Sequence, residues 1–368
     1  MSTTTRDRKV TQIGKLMAAV AMAAALAGCG GGGDDNAAPP PASTPVPAPS
    51  SPTPVPSPAA PTTGDMSSTV LLPTYAAGSP KLNAYTALNA TRLQGGFGTL
   101  AQNDALDSEA QGQADFIAAN YTVASASAVG GVEFNAAALS AFQADGNETG
   151  HVQLTTLPDE SYYTGYLPSA RAVHFGYPSA NVAESATFGN WSADAGATCV
   201  SELLQSPSHR QLLLDPRFRD FGIGIDALPW NAARTISATD CYIATAAESY
   251  AYSASGQATA PTGWVGTYPP DGSTVFATDD SHGHGFAPSL TVDSKLALTV
   301  SSFTITDSDG RLVPTTLNAD AITTSVFSNW AVATPNNDLR ASTIYTVNFQ
   351  GSAGGIAIAK VWTFATPD

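Results

Sequence analysis

Three side chains in this sequence have the types and the setting to do chemistry together: His151, Glu184 and His209. Two imidazoles and one carboxylate suit a divalent metal such as zinc, with a coordination position left open. The same trio without a metal could polarise water, because a carboxylate beside an imidazole orients the ring and alters its proton affinity. Covalent catalysis has less to stand on. Ser185, Ser206 and Ser208 are near in sequence, but none lies in a G-x-S-x-G elbow, so no catalytic nucleophile is assigned and catalysis stays open. The plain alternative is that the histidines hydrogen-bond within the core and only stabilise it. His174 reads as a surface or helix-end residue. His282-Gly283-His284 reads as a solvated loop, since no further ligand flanks it.

The elements around these residues must position them. Ser206-Pro207-Ser208 reads as a turn that stops the helix running through residues 201 to 204, which puts His209 at a defined break. Leu212, Leu213 and Leu214 then supply apolar anchors, and Asp215-Pro216 ends that run. Phe221-Gly222-Ile223-Gly224-Ile225 alternates bulky residues with glycine, the pattern of a core strand that another element approaches closely. Upstream, Ser79-Pro80 caps a helix with Leu82, Tyr85, Leu88 and Leu93 on its apolar face, and Gly95-Gly96 stops it. Asn103-Asp104 opens a second helix, with Leu106, Ala110, Gln113 and Ile117 at three- and four-residue steps up to Asn120. A further strand is expected over residues 236 to 246.

The order of motifs is a loop histidine in Gly150-His151, then Tyr163-Thr164-Gly165-Tyr166, Ser169-Ala170-Arg171-Ala172 and Gly176-Tyr177. Glu184 follows, then S-P-S-H-R at 206 to 210 and a G-x-G strand. This order resembles the CAP superfamily of cysteine-rich secretory proteins, antigen 5 and pathogenesis-related-1, most closely its bacterial members. The resemblance extends to an N-x-x-R helix at Asn89 and Arg92 and covers residues 79 to 249. Where many relatives have G-E-N, this chain has Ala183-Glu184-Ser185. Glu202 does not match the spacing of the second glutamate found in eukaryotic relatives. The resemblance implies an α-β-α sandwich with a cleft around His151, Glu184 and His209. It also implies binding of a lipid or protein ligand, with metal-assisted hydrolysis and inert adhesion or scaffolding as the alternatives.

The ends of the chain speak to location. Arg6, Arg8, Lys9 and Lys15 precede an apolar run over residues 16 to 27, too short to span a bilayer and matching a signal peptide over residues 1 to 28. Leu26-Ala27-Gly28-Cys29 resembles a lipobox, which implies lipidation of Cys29 and a membrane anchor. Gly30 after the cysteine implies sorting to the outer membrane of a Gram-negative bacterium, facing the periplasm or the cell surface. Residues 29 to 66 are rich in Pro, Ala, Ser and Thr, cannot bury a core, and read as a semi-stiff tether. Removing residues 1 to 28 takes four basic and one acidic residue from the 15 and 30 of the whole, leaving 11 against 29 and a net charge of −18. Such a surface repels nucleic acid and anionic lipid, so nucleic-acid binding is excluded.

Two cysteines besides Cys29 remain, Cys199 and Cys241, and an even pair in an exported chain is expected to be bridged. Two buried thiols are the alternative.

The reading for residues 67 to 249 is therefore one α+β domain of CAP type, followed by a linker over 250 to 262. Residues 263 to 368 change character. Tyr268-Pro269-Pro270-Asp271-Gly272 marks a turn, and residues 295 to 306, 322 to 332, 344 to 349 and 357 to 364 favour β-branched and aromatic types, with turns at Asp309-Gly310 and Gly354-Gly355. That pattern predicts an all-β sandwich and resembles bacterial immunoglobulin-like domains, which act as spacers or adhesive modules.

Overall fold

The computed structural model describes residues 66, 69–120, 123–126, 132–134, 151–155, 160–189, 195–228, 238–246, 260–261, 263–275, 287–293, 296–317 and 329–367. The leader, Cys29, the tether before residue 66, most of the linker and His282-Gly283-His284 lie outside the described residues. The fold is mixed α+β.

The first unit is built on a four-stranded sheet in the order β1-β4-β5-β3. The strands are β1 (Ala101–Gln102), β3 (Val182–Gly189), β4 (Asp220–Leu228) and β5 (Ala238–Ala246), while β2 (Val123–Ala126) pairs with a short strand over Val132–Phe134. β4 and β3 each run antiparallel to β5, and the register sets Glu184, Ala244 and Gly222 in one cross-strand row, with Ala183, Thr245 and Phe221 in the next. Adjacent rows point to opposite faces. The Glu184 row faces α2 (Asp104–Asn120), since Ala244 clusters with Leu106 and Ala110. A Cβ added at Gly222 would stand 2.1 Å from the Leu106 carbonyl carbon, and one at Gly224 would stand 2.2 Å from the Ala110 carbonyl oxygen. The alternation of bulky residues and glycine in β4 therefore lets a helix lie directly on the strand. α3 (Pro168–His174) packs on the same side, against α2 and β3.

The opposite face carries α1 (Pro80–Gln94), α4 (Ala195–Gln205) and α5 (Pro207–Leu213). Phe221 and Ile223 meet Tyr85, Leu88, Leu203, Leu204 and Leu213 there. Ser79 caps α1 by accepting from the Leu82 amide. The expected apolar face of α1 needs one correction: Leu93 is exposed, and Arg92 takes the buried place on the stripe. A guanidinium is tolerated because it donates to the carbonyls of Phe97, Gly98, Leu213, Asp215 and Phe218. Its burial pushes it down to about 9. Asn89 pins β1, donating to the Leu100 carbonyl and accepting from the Leu100 amide.

Cys199 of α4 is bonded to Cys241 of β5 across a Cα separation of 6.3 Å. The segment expected as a turn at Ser206-Pro207-Ser208 is narrower than read. Ser206 alone separates two helices, with Pro207 at the first position of α5, where a missing N–H costs nothing.

The second unit has two sheets. Strands β6 (Val265–Tyr268), β8 (Ser289–Val292), β11 (Thr315–Leu317) and β12 (Trp330–Pro335) form one, in the order β11-β12-β8-β6. Strands β7 (Ser273–Thr274), β9 (Leu298–Asp307), β10 (Leu312–Val313), β13 (Ile344–Ala353) and β14 (Ile356–Ala365) form the other, in the order β10-β9-β13-β14-β7. Residues of both sheets, among them Leu290, Val292, Phe303, Val347, Phe349, Trp362 and Phe364, share one core. The expected strands at 344 to 349 and 357 to 364 are each longer than read. Their hairpin turns on Gly354 and Gly355, both at positive φ.

The units are joined more tightly than a linker alone suggests. Trp264 and Tyr268 belong to the apolar cluster of α1 and α4, and Trp264 meets Phe97 edge to face with centroids 5.7 Å apart. The Trp264 indole donates to the Gly96 carbonyl, and the Thr267 amide to the Gly95 carbonyl. Arg210, fully buried, donates to the carbonyls of Leu204 and Ala287 and lies 4.5 Å over the Tyr268 ring.

Candidate functional site

Glu184 is the centre of the site. It stands on β3 in the row that faces α2 and α3, where no water reaches its carboxylate. A buried carboxylate needs partners. Oε2 accepts from Arg171 Nη2 at 2.7 Å, and Oε1 lies 2.7 Å from His151 Nδ1. Burial pushes Glu184 up, but the Arg171 guanidinium and the His151 contact outweigh it and bring the group below the ordinary carboxylate range. An ionised Glu184 orients the His151 ring by accepting from its Nδ1.

Arg171 ties the cluster together. It comes from α3, is fully buried, and donates from Nε to Glu109 Oε1 at 3.1 Å and from Nη1 to the His151 carbonyl at 3.1 Å. Glu109, on α2, is also fully buried, and its Oε2 is left with no donor against it. Burial, and next the negative charge of Glu184, hold Glu109 well above the ordinary carboxylate range, against the pull of Arg171. One arginine thus faces two carboxyls pushed in opposite directions, Glu184 toward the charged form and Glu109 toward the protonated one.

His151 is the most accessible member, with 22% of its side chain exposed against none for Glu109, Arg171 and Glu184. Its segment is held by Gln153, whose Oε1 accepts from the Thr164 amide at 2.6 Å and whose Nε2 donates to the Gly112 carbonyl. The Gln153 amide bonds to the Tyr166 carbonyl, so the strip over residues 164 to 166 is tied to the segment that carries His151. On that strip and its flanks Tyr162, Tyr163, Tyr166 and Leu167 are 43%, 36%, 36% and 46% exposed.

The structure brings His151 and Glu184 together. It puts α5, the helix that carries a half-buried His209, on the other face of the sheet, where Leu213 joins the core and the Leu212 carbonyl accepts from Thr245. Among the described residues, no three His, Cys, Asp or Glu side chains gather closely enough to hold a metal ion. Glu202, on α4, accepts from Thr187 on that same second face. His174 ends α3 and is exposed.

Sequence reasoning assigned no role to Arg171 or Glu109, although a signal was present for both. Glu109 falls three residues after Leu106 on the apolar stripe of α2, and Arg171 lies between alanines of α3, where a charge requires a buried partner. No family model matches the chain, and no curated protein matches its sequence.

Proposed function

We propose that this chain is an exported, lipid-anchored binding protein of the cell envelope, with a CAP-type domain that takes a lipid or protein ligand and an immunoglobulin-like domain behind it. The observation that carries the reading is the exposure of Tyr162, Tyr163, Tyr166 and Leu167 on a segment whose Tyr166 carbonyl accepts from the Gln153 amide, two residues from His151. Tyrosines offer broad contact area at low entropic cost and a hydroxyl at the rim, which suits an amphiphilic or protein partner. The side chains of Arg171 and Glu184 are buried against each other, and His151 is the member of the cluster that reaches solvent. The basic leader and the Leu26-Ala27-Gly28-Cys29 sequence support export and anchoring, and the motif order from His151 to S-P-S-H-R supports the CAP reading.

The test is native mass spectrometry of the full chain purified in detergent from the cells that export it. A lipid or protein adduct is expected on the wild type and on His174→Ala, and its loss on Tyr163→Ser/Tyr166→Ser. An adduct indifferent to the tyrosines, or none at all, would sink the reading.

A second reading, hydrolysis with His151 as general base, rests on the 2.7 Å contact between His151 and Glu184. It requires turnover of envelope polymer that disappears in His151→Gln while the fold persists.

A further inference from the structure

Among the described residues, β14 has an open edge. β14 pairs with β13 along its whole length without a bulge, but on its other side, among the described residues, only Phe364 and Ala365 meet a strand, β7. Thr363 shows which backbone groups face that side: its amide donates to Asp271 Oδ1, and its carbonyl accepts from the Gly272 amide. Orientation alternates along a strand, so the amides and carbonyls of Val361, Ala359 and Ala357 face the same open side. No strand among the described residues pairs with them. The side chains there are apolar and exposed, with Ile356 at 50% and Val361 at 57%, and Lys360 is the single charge between residues 353 and 365. A long apolar edge is a template for strand addition.

We propose that this edge pairs with the same edge of a second copy, antiparallel, about a two-fold axis through Ala359. The register is self-complementary. Ala357 falls opposite the partner's Val361, Ala359 opposite its own equivalent, and Val361 opposite the partner's Ala357, so each outward backbone group meets an outward group. A small residue occupies the axis, and each valine side chain packs on an alanine. Lys360 falls opposite Ile358 of the other copy, which keeps the two ammonium groups diagonal instead of face to face. A shift by one residue would set outward groups against inward ones, and an axis at Lys360 would set the two ammonium groups face to face. The contact is isologous and closes on itself, which ends association at a dimer with one continuous sheet across both copies.

The test uses the full chain in detergent. Ala359→Cys gives a covalent dimer under mild oxidation; Ala357→Cys does not, while mixed Ala357→Cys and Val361→Cys copies link to each other. Ala359→Pro removes only an outward amide, so circular dichroism stays that of the wild type while sedimentation changes from dimer to monomer. A wild type that sediments as a monomer at every concentration, or Ala357→Cys linking alone as readily as Ala359→Cys, overturns the proposal.

Discussion

Arg171 donates to Glu184 across 2.7 Å with neither side chain exposed to solvent. The pair spans α3 and β3, and the same guanidinium reaches Glu109 on α2, so one side chain joins three elements on one face of the sheet. Two charges buried together gain little over an apolar pair of the same volume, but either one alone is costly. Arg171→Met strands the Glu184 charge and is expected to cost about 3–5 kcal/mol. Urea unfolding of the single variant and of Arg171→Met/Glu184→Gln checks this. The double variant should recover part of the loss, since no unpaired charge is left behind.

Glu109 makes the fold sensitive to alkali. Its proton is held in the fold well above the ordinary carboxylate range and is released at ordinary acidity once the chain unfolds. Between those limits the folded state binds more protons, so Glu109 contributes stability that is complete at acid pH and fades as pH rises through its folded value. For one proton the slope is about 1.4 kcal/mol per pH unit. Glu184 has the opposite sign, being held below its ordinary range, and its contribution is lost as pH falls. Glu109→Gln keeps a donor in place without a titrating proton. Unfolding midpoints followed from below the ordinary carboxylate range up to alkaline pH should fall with rising pH in the wild type and fall less in Glu109→Gln, while both lose stability at the acid end as Glu184 takes up its proton.

The bond between Cys199 and Cys241 closes a separation of 42 residues and fastens α4 to β5. Loop closure of that length restrains the unfolded chain by about 4 kcal/mol. Cys199→Ala/Cys241→Ala should lower stability by roughly that amount. Reduction with dithiothreitol should do the same to the wild type and leave the variant unchanged.

What could be read from the sequence was whatever is local or periodic. Ser79-Pro80 announced α1, the spacing of Leu106, Ala110, Gln113 and Ile117 announced α2, and the glycines of Phe221-Gly222-Ile223-Gly224-Ile225 announced a strand closely approached by another element, which is α2. Glu184 and His151 were legible as chemical types. The contacts that make a cluster of them were not, because Arg171 reaches Glu109 across 62 residues and no local pattern encodes that pairing. Leu93 was misread for a related reason. At the end of α1 a leucine and an arginine are adjacent, and the carbonyls supplied by Leu213, Asp215 and Phe218 decide in favour of burying Arg92. His209 lay in the most conspicuous motif, yet it is Arg210 beside it whose role is explicit in the fold.

Arg210 leads to the last prediction. It stands at the joint between the two units, with one donor on Leu204, one on Ala287 and its face over Tyr268. Burial brings it down to about 10, with Tyr268 opposing, so it remains charged at neutral pH. Trp264 fills the other half of the joint against Phe97 and Gly96. Two units that share buried side chains unfold together, whereas units joined by a bare linker unfold separately. Scanning calorimetry of the wild type should give one transition. Trp264→Ala removes a buried aromatic at a cost of about 3–5 kcal/mol, and Arg210→Ala removes the buried hydrogen bonds. In the double variant the transition should split in two, and the one belonging to the first unit should be sensitive to dithiothreitol because Cys199 and Cys241 lie there. A wild type that already unfolds in two steps would mean that the joint contributes little, whatever its burial.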